Sequence, residues 1–343
     1  MMQELRNTSE AEIKTWLSKQ QFPAFRYKQI ESWLWQHPVD DIVQMQNLPV
    51  LLRDKLKTDF YLDAIEAIKI NSSNDGSMKV AFSLSDDTYI EGVLIPSGKR
   101  ITACISTQVG CRLGCRFCAT GGMGFTRNLH AGEIYLQAWK LNELSKAEYG
   151  RHLSNIVVMG MGEPLDNYDH TVSALRKIID ENGMGMSPRR ITLSTAGLAP
   201  NIKNLAGSGL NIQVSVSLHA ADNELRSRLM PINNKYDIHV LAESLQYYYQ
   251  KTKKRLSYEY ILFHEINDSL SHVAQLAEFV KITPCKINLI EYNMVEGSDF
   301  KKSNNQNTHQ FIRYLEDKNI VVNLRNSRGD DVDAGCGQLA NKF

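Results

Sequence analysis

From residue 101 onward the chain repeats one unit: an apolar, β-branched run, then a loop, then a stretch of helical periodicity. The runs are Ile101–Ser106, Asn155–Met159, Arg190–Ser194, Asn211–Leu218, Leu256–Leu262 and Lys286–Ile290. Near-continuous apolar runs mark parallel strands covered on both faces, whereas half-exposed strands alternate. Between them, Ala131–Leu144, Tyr168–Asn182, Asp237–Thr252 and Ser271–Ile282 carry apolar residues at helical spacing. Six such units predict an α/β fold, an incomplete (β/α)6 barrel with right-handed crossovers. Ligands of such barrels bind at the C-terminal ends of the strands, so the residues that follow each run are the ones to examine.

Two segments precede the barrel. Residues 1–60 read as a small helical domain, with Ile13, Trp16 and Leu17, then Ile30, Trp33, Leu34 and Trp35, then Leu48, Val50, Leu51 and Leu52 at helical spacing. Ser9 and Glu12 make a capping box, and Arg26, Lys28, Arg53, Lys55 and Lys57 give the domain a basic face. Residues 61–98 contain two runs, Ser77–Leu84 and Thr88–Ile95, around Ser85-Asp86-Asp87, which predicts a β-hairpin extension. Glu91 lies in the second run among Tyr89, Ile90, Val93, Leu94 and Ile95. An outward-facing carboxylate is the expectation, because an inward one needs a hydrogen-bond partner or a raised pKa. The barrel then occupies 99–325, and a tail follows at 326–343.

A chain of 343 residues buries enough core for a catalytic domain and a smaller companion. It opens on a polar stretch without the apolar core of an export signal, and no run approaches a membrane span. A cytoplasmic protein without membrane contact is expected, monomeric by default. Six cysteines then read as metal or redox chemistry rather than disulfide scaffolding. A net charge of +1 excludes a uniformly basic surface. A nucleic acid would be met by local clusters: Lys251, Lys253, Lys254 and Arg255; Arg189 and Arg190; Lys301 and Lys302; Arg325 and Arg328.

Directly after the first run stand Cys111, Cys115 and Cys118. Three thiolates this close hold three irons of a 4Fe–4S cube and leave the fourth open to a chelating small molecule. The alternative is a structural zinc knuckle with Cys104 as fourth ligand. Phe117 before the third cysteine and the glycine-rich Met159-Gly160-Met161-Gly162-Glu163-Pro164 after the second run favour the cluster, since a zinc ribbon needs no second motif. The C-x3-C-x2-C spacing resembles the signature of the radical-SAM superfamily, in which S-adenosylmethionine (SAM) chelates the open iron.

Five longer motifs resemble the RlmN family of that superfamily. They are Cys104-Ile105-Ser106-Thr107-Gln108-Val109-Gly110-Cys111, Met159 to Leu165, Val216-Ser217-Leu218-His219-Ala220, Met230-Pro231-Ile232-Asn233, and Arg328 to Leu339. The resemblance runs over nearly the whole chain. It implies methylation of C2 of adenosine in 23S rRNA (adenosine 2503, in the peptidyl-transferase centre) and in tRNA (adenosine 37). It also implies an external electron donor such as a flavodoxin, and for an RNA substrate the basic helical domain and the Lys251–Arg255 cluster are candidates for backbone contacts. By the same resemblance Cys111, Cys115 and Cys118 hold the 4Fe–4S cluster, and Gly162, Glu163, Ser194, Ser217, Leu218, His219 and Asn293 line the SAM site, with two SAM consumed per turnover. Cys336 carries a methyl group and forms an adduct with RNA, Cys104 resolves it, and Glu91 accepts a proton. Gly335, Met294 and Phe263-His264-Glu265-Ile266-Asn267 depart from the family pattern. Pro164 and Ser327-Arg328-Gly329 favour C2 over the C8 chemistry of the related Cfr enzymes. A non-catalytic iron–sulfur or zinc RNA-binding protein is the remaining alternative.

Overall fold

In the computed structural model, which describes residues 2–341, ten strands form one sheet whose order follows the chain. Strands β1 (Ile65–Ser72), β2 (Met78–Leu84), β3 (Tyr89–Ser97) and β4 (Arg100–Cys104) pair antiparallel. From β4 the pairing turns parallel through β5 (Asn155–Val158), β6 (Ile191–Thr195), β7 (Gln213–Ser217), β8 (Leu256–Leu262), β9 (Cys285–Glu291) and β10 (Val322–Arg325). The six expected barrel strands are present within a few residues of their expected bounds. β10 adds a seventh parallel strand at the open edge, and β1 makes the hairpin extension three-stranded and continuous with the barrel sheet.

Helices α1 (Glu10–Lys19), α2 (Arg26–Glu31) and α3 (Val50–Asp59) build the N-terminal domain, and the short α4 (Ala119–Gly122) lies in the loop after β4. The crossovers are α5 (Ala131–Tyr149), α6 (Tyr168–Ile179), α7 (Ala199–Gly207), α8 (Asn223–Leu229), α9 (Ile238–Thr252), α10 (Leu270–Phe279) and α11 (Asn305–Asp317). Their starts are set locally. Ser9, Asp222, Asp237 and Asn304 each accept backbone N–H bonds as N-caps, and Gly150 ends α5 in the left-handed conformation. All seven residues of β8 are buried, as a central parallel strand requires.

Register decides which side chains enter the barrel. Lys79 pairs with Val93 and Val93 with Cys104, and Glu91 lies two residues from Val93, so Lys79, Glu91 and Cys104 share the inner face. Glu91 is therefore fully buried, contrary to the outward placement expected from sequence. The outer face of β3 is covered as well: a Cβ on Gly92 would stand 3.2 Å from Leu141 of α5. Apolar neighbours on both sides hid the direction of the carboxylate.

The N-terminal domain docks on α5 and α6. Trp35 meets Tyr135 edge-on at 4.9 Å, the Tyr135 hydroxyl donates to the Trp35 carbonyl, and Lys177 pairs with Glu31 at 2.8 Å. Beneath them Arg6 is buried and donates to the carbonyls of Asp63 (3.0 Å), Val39 (2.6 Å) and Leu34 (3.4 Å), with Glu4 3.9 Å away. Removing this cation strands three carbonyls and a carboxylate whose pKa burial already raises to about 7. Arg6→Met should cost about 3 kcal/mol in urea unfolding. A loss below about 1 kcal/mol would show that the domain is held elsewhere.

Candidate active site

The loop after β4 is pinched at its neck. Gln108–Gly110 pairs antiparallel with Phe125–Asn128, and the Cys111 N–H donates to Gly124 at 2.7 Å. Gly110 has φ +74°, and a Cβ there would collide with the Gly124 carbonyl, so the neck closes only on glycine. Within the loop the Cys118 N–H donates to Cys115 (3.1 Å), and the Arg116 N–H reaches across to the Leu229 carbonyl at the end of α8 (3.0 Å). The Phe117 ring packs on His219 at 4.8 Å and on Phe263 at 5.4 Å, which anchors the loop to the ends of β7 and β8.

The three thiols are partly buried. Burial pushes Cys111 up to about 12, and Cys115 and Cys118 are raised for the same first reason. Such thiols stay protonated until a metal replaces the proton. Among the described residues the one tight group of ligand atoms, all within 4.8 Å of one another, is Asp63, His130 and Glu133. That group is satisfied internally, since Arg127 donates to both Glu133 oxygens and Ser85 to Asp63. The loop sulfurs are spread wider than that. A zinc ion with Zn–S bonds of about 2.3 Å would draw four sulfurs to about 3.8 Å apart, whereas an iron–sulfur cube needs wider spacing. Three thiols on one loop fit the donor set of the cube.

The residues expected at the SAM site converge at the strand ends. Gly162 has φ +96°, and a Cβ there would stand 2.6 Å from the Gln108 side chain, so the loop after β5 nests on the loop after β4. Gln108 accepts from the Glu163 N–H (2.9 Å) and donates to Asp166 (2.8 Å). The Glu163 carboxylate accepts from the N–H groups of Ala196 (2.7 Å) and Leu165 (3.0 Å), which joins the loops after β5 and β6, and burial raises its pKa to about 7. Ser194 and Ser217 face each other at 3.5 Å across β6 and β7, and the Leu218 N–H binds the Glu259 carbonyl at 3.0 Å. His219, at φ +56°, accepts the Ile261 N–H at Nδ1 (3.0 Å), which leaves its proton on Nε2. Asn293 accepts from Ser327 and donates to the Cys336 carbonyl (3.2 Å).

The tail joins these pieces. Ala119 donates to the Gly337 carbonyl (2.7 Å) and Thr120 to that of Leu339 (2.6 Å), so the tail lies on the cluster loop. Gln338 reaches the Met294 carbonyl (3.1 Å), and the Ala340 N–H donates to Glu91 (2.9 Å). Glu91 also faces Lys79 Nζ at 3.5 Å. Cys336 is solvent-exposed, on the stretch of tail that lies on the cluster loop. Burial pushes the Cys104 and Cys336 thiols each up to about 12, and charge on Cys336 raises Cys104 further. All six cysteines are free thiols.

Residues that the motifs did not single out complete the site: Lys79 opposite Glu91, the buried Arg226, and Glu259, which accepts from Ser215 and Asn288 and whose charge acts on Cys336. A lone Arg, Glu or Lys in an apolar strand or helix was the only available signal. The basic clusters divide by barrel end. Lys254 donates to the Asn211 carbonyl (2.8 Å), Arg255 to that of Cys285 (2.7 Å) and Arg190 to that of Ser154 (3.2 Å), all where strands begin. The Lys251–Arg255 cluster therefore lies at the end of the barrel away from the three-cysteine loop. Lys302, paired with Glu291 at 3.0 Å, and Arg325 and Arg328 stand at the mouth.

A parallel barrel with a three-thiol loop at the end of its first strand defines a radical-SAM protein, and the model of the Radical SAM superfamily matches residues 105–280. That of the Ribosomal RNA large subunit methyltransferase N-terminal domain matches residues 3–62. The dual-specificity RNA methyltransferase RlmN described as probable in Flavobacterium johnsoniae is 41% identical over 339 residues, covering 99% of this chain and 97% of its own. Its counterpart in Christiangramia forsetii is 44% identical over 319 residues, covering 93% and 91%. The crystal structure of a radical SAM methyltransferase from Sphaerobacter thermophilus superposes with a TM-score of 0.92 at 38% identity, over 99% of this chain and 100% of that one. The chain belongs to the RlmN family of RNA methyltransferases.

Burial, and next the charge of Arg226, lowers the His219 pKa from 6.5 to about 3. Between those values the unfolded chain binds a proton that the folded chain does not, so stability falls as pH drops through the window. Asn tolerates the left-handed backbone at this position. His219→Asn should flatten the acid dependence of urea unfolding by up to about 1.4 kcal/mol per pH unit. An unchanged slope would show that the imidazole protonates in place.

Proposed function

We propose that this methyltransferase modifies C2 of adenosine at position 2503 of 23S rRNA and position 37 of tRNA, through a methylated Cys336 and a transient protein–RNA adduct. Cys111, Cys115 and Cys118 would hold the 4Fe–4S cluster, and Gly162, Glu163, Ser194, Ser217, Leu218, His219 and Asn293 would hold SAM. Bound there, the two supply a methyl group and, from a second SAM, the radical chemistry that an sp² C2–H demands, being neither acidic nor nucleophilic. Cys336 in its thiolate form accepts the methyl group and later carries the bond to C2. Glu91 takes the C2 proton. Cys104 as thiolate attacks the Cys336 sulfur and breaks its bond to the methylene on C2, which takes a proton to become the methyl group of the freed RNA, and the resulting Cys104–Cys336 disulfide is returned to two thiols by an external two-electron reductant.

The observation that carries this reading is the tail docked on the cluster loop, which brings the segment after Cys336 onto Ala119 and Thr120 and the Ala340 N–H onto Glu91. Mass spectrometry of RNA from cells with and without the gene should show 2-methyladenosine only with it; 8-methyladenosine would assign the other regiochemistry. Cys104→Ala should accumulate covalent protein–RNA on denaturing gels, and the double variant with Cys336→Ala should lose it. Normal turnover by Cys104→Ala, or loss of iron alone in both single variants, would overturn the roles of the two thiols.

The adenine must leave its stack to reach the cavity, so the RNA backbone passes over the mouth. Lys301→Ala combined with Lys302→Ala should weaken RNA binding and lower the salt slope by about one unit for each phosphate no longer neutralised. Lys254→Ala combined with Arg255→Ala should leave both unchanged. The opposite ranking in filter binding across a salt series would place the RNA at the other end of the barrel.

A further inference from the structure

Among the described residues Arg226 is the largest side chain without any exposure, and the acceptors of its hydrogen bonds carry no charge. It extends from α8 under the loops after β6 and β7, where its guanidinium donates to the carbonyls of Ala196 (2.7 Å) and Ser217 (3.3 Å) and to the Asn233 side chain (2.8 Å). All three acceptors are neutral, and Nε has no partner among the described residues. Burial pulls its pKa down to about 10, so it remains charged at neutral pH, and Cys115 is the one ionisable group that favours its charge. A buried cation without an anion is costly, and proteins keep such groups where a counter-charge arrives.

The neighbourhood says what arrives. The α8 helix is tied to the cluster loop by the Arg116–Leu229 hydrogen bond, and Leu225 and Leu229 pack in the same apolar cluster as Phe117, Cys115 and Cys118. Three thiolates make an oxidised 4Fe–4S cluster net negative, and reduction adds a further negative charge.

We propose that Arg226 is the buried counter-charge of the cluster, a positioning residue that raises its reduction potential by stabilising the reduced, more negative state. This rests on the reading that the three thiols hold a 4Fe–4S cluster, and iron content with the electron paramagnetic resonance signal of the dithionite-reduced parent protein tests that reading separately. The fixed charge acts through low-dielectric protein, where it is weakly screened. Its three hydrogen bonds hold the loops that carry Ser217 and the Ala196 N–H, so it also keeps that charge at a fixed distance.

The test is potentiometric titration of the reconstituted cluster in the parent, Arg226→Gln and Arg226→Lys. Gln retains donors without the charge, and Lys retains the charge without the fork. Arg226→Gln should shift the reduced-to-oxidised ratio at a given potential about tenfold toward oxidised, about 59 mV for a one-electron couple, while Arg226→Lys stays within about a third of that shift. Equal potentials in parent and Arg226→Gln would overturn the proposal, as would equal shifts in both variants. A loss of SAM affinity in the oxidised protein with no change in potential would assign the charge to the SAM carboxylate instead, and also overturns it. If Arg226→Gln fails to take up iron, Arg226→Lys decides: uptake at the parent's potential supports the counter-charge, and failure in both makes Arg226 scaffold only.

Discussion

The pairing of β3 with β4 places the reactive groups. Val93 opposite Cys104 sets Glu91, Lys79 and Cys104 on the inner face, and this face continues into the parallel barrel because β4 pairs with both β3 and β5. A slip of one residue would turn Glu91 out under α5 and push Leu94 into the cavity. Gly92 guards against it, since the space opposite Leu141 has no room for a side chain. The switch from antiparallel to parallel pairing at β4 thus brings the extension's groups and the barrel's strand ends around one cavity.

Around that cavity, polar side chains are committed to loop backbones. Glu163 holds Ala196 and Leu165, Gln108 holds Glu163, His219 holds Ile261, and Asn293 holds Cys336. All but the Glu163–Leu165 bond, which is local to its loop, join the end of one strand to another segment, so the site is shaped before any ligand enters. Buried donors and acceptors left unmade would cost more than these bonds contribute, which is why the loops have few alternatives. Arg226 belongs to the same network but differs in kind, because its neutral partners leave its charge open to whatever binds above it.

The tail is a strap across the open side of the sheet. After the edge strand β10 it runs past the β1–β2 turn, where the Gly329 N–H donates to Asp75 (3.1 Å) and Asn74 donates to Asp331 (2.9 Å). It then crosses the cluster loop and ends at β3 through Ala340 and Asn341. Gly335 lets it through, as a Cβ there would stand 2.5 Å from Asn293. The close approach that Gly allows here lets Asn293 reach the Cys336 carbonyl.

Much of this was legible from the order of residues. The six runs and their helices follow from periodicity, and the three-thiol loop, the Gly162–Glu163 turn and the residues at the ends of β6, β7 and β9 follow from where ligands sit in a parallel barrel. Capping residues such as Ser9 and Asp237 fixed helix starts locally. Three things were not legible. β10 is four residues long and mostly exposed, too short and too polar to announce a strand. The direction of Glu91 was hidden because β3 is apolar and covered on both faces. The ends of the barrel at which Lys254, Arg255, Lys302 and Arg325 lie depend on how strands and loops stack, and charge spacing along the chain carries no record of it. Sequence by itself determined the elements and the three-cysteine loop, because each is a local pattern of side chains, while Cys104 and Cys336 stood out only through the family resemblance. Only the tertiary structure decided how these pieces meet, since the tail reaches Glu91 and the cluster loop, and Arg226 reaches the loops after β6 and β7, through register and packing between segments far apart in the chain.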